Sequence, residues 1–295
     1  MNSPYQLDLP PQPSEDDLQP LSAPEVPARI PNFGHAVFFL CIAAFLLIFF
    51  QGILFALTAG FHLPTINKAA SLPAPKLLVA SEALTYLCTL GVAAFFFPRL
   101  WNRSFASGIQ WNWLALRRQP LRLIGLGLTL GLTVQFVTYF ITSPGQLPID
   151  NFFLTPSDAW LVTAFGTLLA PAFEEITFRG FLVPAFAIAY DWIALPRTPE
   201  AHARWVSSTS ISPMSILFSA VATSIFFSLL HAQQIGRLVP VLIVLFCVSL
   251  VLTFVRIKLR SVACSTLVHA SYNSFVFLMV LFQTGAYRHL DKLHK

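Results

Sequence analysis

"PAFEEITFRG", Pro171 to Gly180, sets two glutamates and an arginine in a stretch that is otherwise oil. The chain around it has 295 residues, 56% hydrophobic and only 11% charged, with several apolar runs of twenty or more residues. A soluble core has no use for such runs, so the sequence predicts an integral, multi-pass membrane protein. An ionised group at a helix centre costs about 2.5 to 3.5 kcal/mol in lipid, so Glu174, Glu175 and Arg179 must face protein or water.

Working outward, the apolar runs predict spans near 36–60, 77–97, 121–142, 159–188, 214–234, 238–256 and 262–284. The fold class expected is an all-α, polytopic transmembrane helix bundle of about seven spans, with a polar cavity between the C-terminal helices. Three regions are expected: a disordered Pro-rich acidic tail over 1–34, N-terminal transmembrane helices over 35–145, and a C-terminal transmembrane core over 146–295. The tail holds Glu15, Asp16 and Asp17 and too little apolar surface to offset the entropy of ordering. Eleven Lys and Arg fall on the N-terminal side of these spans against six opposite, which favours a cytoplasmic N-terminus. The net charge of +5 is scattered, with no basic stripe of the kind nucleic acid requires. Cys41, Cys88, Cys247 and Cys264 form no C-x-x-C pair and read as packing residues. Gly127 and Gly131 are spaced to let a neighbouring helix approach.

Within the decisive stretch, residues four apart share a helix face, so Glu175 is expected to pair with Arg179. Glu174 then points about 100° away, without a partner on its own helix. Pro171, three residues earlier, removes a backbone donor and predicts a kink. Taken alone, the stretch also fits a buried ion pair that locks two helices together. Two later patterns shift the balance. "FFSLLH" ends at His231 with Phe227 four residues before it, and "HASYN" aligns His269 with Asn273 on one face. Two histidines, an amide, an unpaired acid and an arginine predict a convergent polar site.

A carboxylate with imidazoles can take a proton from water, and an imidazole with an amide can stabilise the oxyanion formed when that water attacks a peptide bond. That is a peptidase's inventory. The same side chains leave a second reading open: Glu174, His231 and His269 are zinc-type ligands with room for a fourth. No cofactor is firmly implied, since the compact H-E-x-x-H spacing is absent. No G-x-S elbow occurs, and no aspartate falls inside a predicted span, which excludes the usual serine and paired-aspartate chemistries. Glu82, near the start of the second span, is expected to reach the membrane interface.

The motifs E-E-x-x-x-R (Glu174, Glu175, Arg179), F-x-x-x-H (Phe227, His231) and H-x-x-x-N (His269, Asn273), in that order on successive apolar helices, resemble the CPBP family. These are the CAAX protease and bacteriocin-processing intramembrane endopeptidases, also called Abi. The resemblance implies that Glu174 activates water, that His231 helps hold it, and that His269 and Asn273 form the oxyanion site. Glu175 and Arg179 would be the supporting pair. It further implies an endopeptidase acting in the lipid bilayer on a membrane-associated peptide or protein, such as a prenylated tail, a leader peptide or a small membrane protein. The family is labelled metalloprotease, and a metal-free glutamate mechanism also exists. The alternative function is a non-catalytic membrane scaffold or bacteriocin-immunity protein on the same fold. The polar loop from Asp191 to Pro213 looks longer than the family needs and reads as a neutral insertion.

Overall fold

A computed structural model describes residues 29–58, 74–141 and 147–294. The protein is 82% helical, with no strand among the described residues. Seven helices are long and apolar enough to cross a membrane: α1 (Phe33–Thr58), α2 (Pro75–Trp101), α3 (Pro120–Tyr139), α4 (Pro156–Ala194), α5 (Pro213–Leu230), α6 (Val239–Leu259) and α7 (Val262–Gln283). The expected fold class therefore holds, and the chain is a multi-pass membrane protein. The tail expected over 1–34 lies, up to residue 28, outside the described residues. The segment Pro196–Thr209 is a unit of its own, with a helix over Pro199–Ser207 started by the Thr198 side chain, which accepts from Ala201 N–H.

The spanning helices turn large apolar side chains outward. Phe45, Ile48, Phe95, Leu132 and Phe282, for instance, are left exposed on the protein surface, as lipid contact allows. Aromatic packing joins α1, α2 and α4: Phe39 stacks on Phe181 at 4.4 Å between ring centroids, and Phe97 lies 5.0 Å from Phe181. On the other side, α3 packs along α7. A Cβ on Gly127 would overlap the Val268 carbonyl and the Ser271 side chain, and one on Gly131 would come within 2.8 Å of Phe275. Gly125 is open, with nothing within 4 Å of such a Cβ. Gly127→Ala is therefore expected to lower stability by about 1 to 3 kcal/mol through overpacking. Gly125→Ala should be neutral or stabilising, since alanine is the better helix former. Thermal unfolding of the two purified variants separates these outcomes.

The helix that carries the decisive stretch differs most from expectation. At 39 residues α4 is longer than the predicted 159–188. It extends roughly 55 to 60 Å, against a hydrocarbon core of about 30 Å. The extra length brings Asp158 and Asp191 inside a spanning helix, which the sequence reading did not foresee. They sit at opposite ends, about 50 Å apart at helical rise, so they cannot act as a pair. Both hold helix starts: Thr155 donates to Asp158, while Asp191 accepts from Ser212 N–H and from the hydroxyls of Ser212 and Ser215 at the start of α5.

That last contact sets the register of α5 against α4. The two helices run antiparallel from the Asp191–Ser212 junction, and the 18 residues of α5 therefore end at the level of Phe173 and Glu174. The contact between the Phe178 and Phe227 rings, 5.2 Å apart, fits the same register. A linear drawing of equal spans puts His231 at the membrane face opposite Glu174. The long C-terminal half of α4 removes that conflict, because α5 starts at its end and stops at the level of Glu174.

Candidate active site

Two segments of α4 are π-helical, Phe165–Leu169 and Ile176–Leu182, and they flank the paired glutamates. Each is followed closely by a proline. In the first, Ala170 N–H bonds Phe165 O, five residues back, so Gly166 O loses the partner an α-helix would give it. In that register the next donor belongs to Pro171, which has no N–H. The Asn273 side chain on α7 supplies one, with Nδ2 donating to Gly166 O at 2.7 Å. The second segment repeats the arrangement. Val183 N–H bonds Phe178 O, Pro184 cannot serve Arg179 O, and Arg256 Nε on α6 donates to that oxygen at 3.1 Å. Pro171 thus sits beside a π-helical turn, and its missing N–H is made good by a polar side chain from a neighbouring helix.

The predicted pair forms. Arg179 Nη1 donates to Glu175 Oε1 at 2.8 Å, and both side chains are fully buried. The other donors of the guanidinium go to α6: Nη2 to the carbonyl and hydroxyl of Ser249 at 2.8 and 2.7 Å, Nε to the Thr253 hydroxyl at 3.3 Å. This is a compensated buried charge, locked on three sides.

Glu174 is turned elsewhere, onto a cavity of about 270 Å³. The same cavity is lined by His231 from the end of α5 and by His269 and Asn273 from α7, so the four side chains singled out in the sequence share one hollow. The Glu174 side chain keeps 21% of its surface accessible. His269 bridges the two acids: its Nδ1 lies 3.0 Å from Glu175 Oε1 and its Nε2 lies 3.8 Å from Glu174 Oε2. Because a carboxylate only accepts, the Nδ1 proton is on the ring, and Nε2 is the nitrogen left for chemistry. His231 is held alike, with Nδ1 donating to Phe227 O at 2.8 Å, which again leaves Nε2 free of the backbone. The Phe227 ring is the common surface, 4.8 Å from the His231 ring, 5.9 Å from the His269 ring and 5.0 Å beneath the Arg179 guanidinium.

Three features escaped the sequence reading. Glu82 lines the cavity instead of reaching the interface, and it accepts from the Tyr86 hydroxyl at 2.9 Å. The four-residue spacing of Glu82 and Tyr86 was the available signal; the Tyr86 ring stacks on Phe173 at 3.8 Å, which fixes it. Arg256, the last residue of the predicted span 238–256, lies buried inside α6. Gln234, in the turn after α5, and Ile149, in the 3-10 helix Pro148–Phe152, also line the cavity, and Ile149 N–H donates to Gln234 O at 3.0 Å.

The alternative donor set was Glu174, His231 and His269. Among the described residues, no three His, Cys, Asp or Glu side chains converge closely enough to hold a metal ion. The side chains as placed do not fit a metal.

Residues 156–275 match the profile of a family described as type II CAAX prenyl endopeptidase Rce1-like. The matched segment is under half of the chain, runs from the start of α4 to two residues past Asn273, and contains all three motifs. It agrees with the CPBP/CAAX protease resemblance drawn from those motifs. No curated protein and no solved structure matches the chain.

Proposed function

We propose that this protein is an intramembrane endopeptidase that hydrolyses a peptide bond of a membrane-associated polypeptide, with Glu174 as the base. One observation carries the reading: an acid on α4, a histidine at the end of α5 and a histidine and amide on α7 line a single cavity, beside a separately neutralised Glu175–Arg179 pair. The matched family, one of proteases, supports the same reaction class.

In this reading water sits between Glu174 and His231 Nε2. Glu174 takes one proton as the water oxygen attacks the carbonyl carbon. The resulting oxyanion meets the second N–H of Asn273, whose first is spent on Gly166 O. His269, with Nδ1 kept by Glu175, donates to that oxyanion from Nε2 only as the imidazolium. Passing the proton from Glu174 across the 3.8 Å gap makes that form as the oxyanion appears. When the C–N bond breaks, the proton goes on to the leaving nitrogen, and both carboxylate and imidazole return to their starting state.

With a cytoplasmic N-terminus, favoured by the Lys and Arg bias, the cavity occupies the half of the bundle toward the opposite membrane face. Residues 1–34, 35–145 and 146–295 then serve as tail, supporting helices and catalytic core. Quantitative membrane proteomics comparing wild type with Glu174→Ala tests the proposal. Substrates should accumulate uncleaved in the variant, with sites on their non-cytoplasmic side. Identical proteomes would contradict the reaction, and cytoplasmic sites would contradict the orientation.

A further inference from the structure

The geometry points to a binding site for the phosphate headgroup of an anionic phospholipid, at the membrane face where α2 and α6 end and α3 and α7 begin. A recess of about 530 Å³ lies between the α2–α3 connector and the α6–α7 turn, with Ser107, Gln110, Trp111, Asn112, Trp113 and Arg260 in its wall. It shares no residue with the cavity that holds Glu174, and its occupancy does not depend on the hydrolase reading.

Two bonds fix the connector to the turn. Val262 N–H donates to Gln110 O and the Ser261 hydroxyl donates to Asn112 O, both at 3.0 Å. Gln110 and Arg260 have φ of 59° and 47°, left-handed conformations that persist in a residue with a side chain only where the surroundings hold them. The short helix Trp113–Arg118 packs Ala115 and Leu116 against the core of Val255 and Cys264, and its Arg117 and Arg118 are exposed.

Charge selects the ligand. The Arg260 guanidinium lines the recess, and no Asp or Glu among the described residues does. Residues 99–122 carry five arginines and no acid, and Lys258 adds its charge from the last turn of α6. None of Arg103, Arg117, Arg118, Arg122, Lys258 and Arg260 forms an ion pair among the described residues. An arginine fork takes two phosphate oxygens at once. The Ser107 hydroxyl and the Gln110 amide, in the same recess and without a partner among the described residues, supply further donors.

The rim decides between a lipid and a soluble anion. Leu100, Trp113, Leu114 and Leu121 are exposed on the segments that frame the recess, and Trp111 meets Trp113 edge to face at 5.7 Å. Leucines bared at helix ends belong among acyl chains, and tryptophan favours the headgroup level. A phosphate seated here therefore arrives on a lipid. With the orientation proposed above, this face is cytoplasmic, the side on which the leaflet surface is negative.

The test titrates purified full-length protein in neutral detergent with phosphatidylglycerol, phosphatidylcholine or inorganic phosphate, and reads bound lipid by native mass spectrometry. Phosphatidylglycerol should bind on the order of tenfold more tightly than phosphatidylcholine, and an equal concentration of inorganic phosphate should not displace it. Arg260→Gln should weaken phosphatidylglycerol about fivefold, the share of one basic group near a membrane surface. Arg288→Gln, past the far end of α7, should leave it unchanged. Equal binding of the two lipids, or the same loss in both variants, would overturn the site. Displacement by inorganic phosphate would assign the recess to a soluble anion and overturn the lipid. The wild-type comparison decides the matter even where Arg260→Gln fails to fold.

Discussion

Replacing Arg179 by leucine will destabilise the protein by about 3 to 5 kcal/mol, because it leaves the Glu175 carboxylate buried without its cation. The two groups are 2.8 Å apart with no exposed surface, and the arginine also ties α4 to Ser249 and Thr253 on α6. Thermal unfolding in detergent, followed by size exclusion, measures the loss. A double variant, Glu175→Gln with Arg179→Leu, should be more stable than Arg179→Leu alone, since the stranded charge is removed with its partner. A double variant less stable than Arg179→Leu by the full cost of Glu175→Gln alone would show that the pair is not coupled. Arg179→Lys keeps the charge but not the fork that reaches three partners, and should fall between.

The adjacent acid is expected to behave oppositely. Glu174→Gln should reduce peptide hydrolysis by about 10²- to 10⁴-fold, the range for loss of a general base, with kcat bearing the change. Its effect on stability should stay within about 0.5 kcal/mol, as for other groups away from packing and pairing. The Glu174 carboxylate is partly exposed and its ion-pair contact, with His269, is 3.8 Å long. Glu175→Gln should show the reverse, a loss of stability from the broken network. Two neighbouring glutamates with separated phenotypes are what the different directions of their side chains predict. Loss of stability in Glu174→Gln equal to that in Glu175→Gln would contradict the division.

The division itself was legible in the sequence. Four-residue spacing assigns Glu175 to Arg179 and leaves Glu174 over, and the same spacing puts His269 with Asn273. Hydropathy was enough to count seven spans. What it could not supply was the path of α4, because membrane thickness sets an expectation of about 20 residues and this helix runs for 39. The π-helical segments were hidden for a different reason. A proline in an apolar helix predicts a disturbance, but whether a kink or a change of register follows depends on a donor from another helix. Here Asn273 and Arg256 are those donors. The burial of Arg256 could not be read either, because its partner is a backbone carbonyl, which leaves no trace in a sequence. Glu82 was misplaced for a related reason, since distance from a span end says little when neighbouring loops cover that end.

In the proposed mechanism, the Asn273 bond to Gly166 O puts a backbone irregularity to use. Gly166 lets the Phe277 ring approach to within 2.7 Å of where a Cβ would stand, so α7 lies close to α4 at the level of the cavity. Pro171 leaves the carbonyl without a donor, and the bond to it fixes the amide with its second N–H available. Positioning of this kind is what oxyanion stabilisation requires.

The most direct measurement of the account is the origin of the oxygen in the new C-terminus. Purified protein and a peptide it cleaves, held in excess enzyme so that each site turns over once, are mixed in water enriched in oxygen-18. Attack by a Glu174-activated water predicts one solvent oxygen in the product carboxylate from the first turnover, and no product from Glu174→Gln on the same timescale. A first-turnover carboxylate carrying an oxygen from the protein, or unimpaired cleavage by Glu174→Gln, would contradict it.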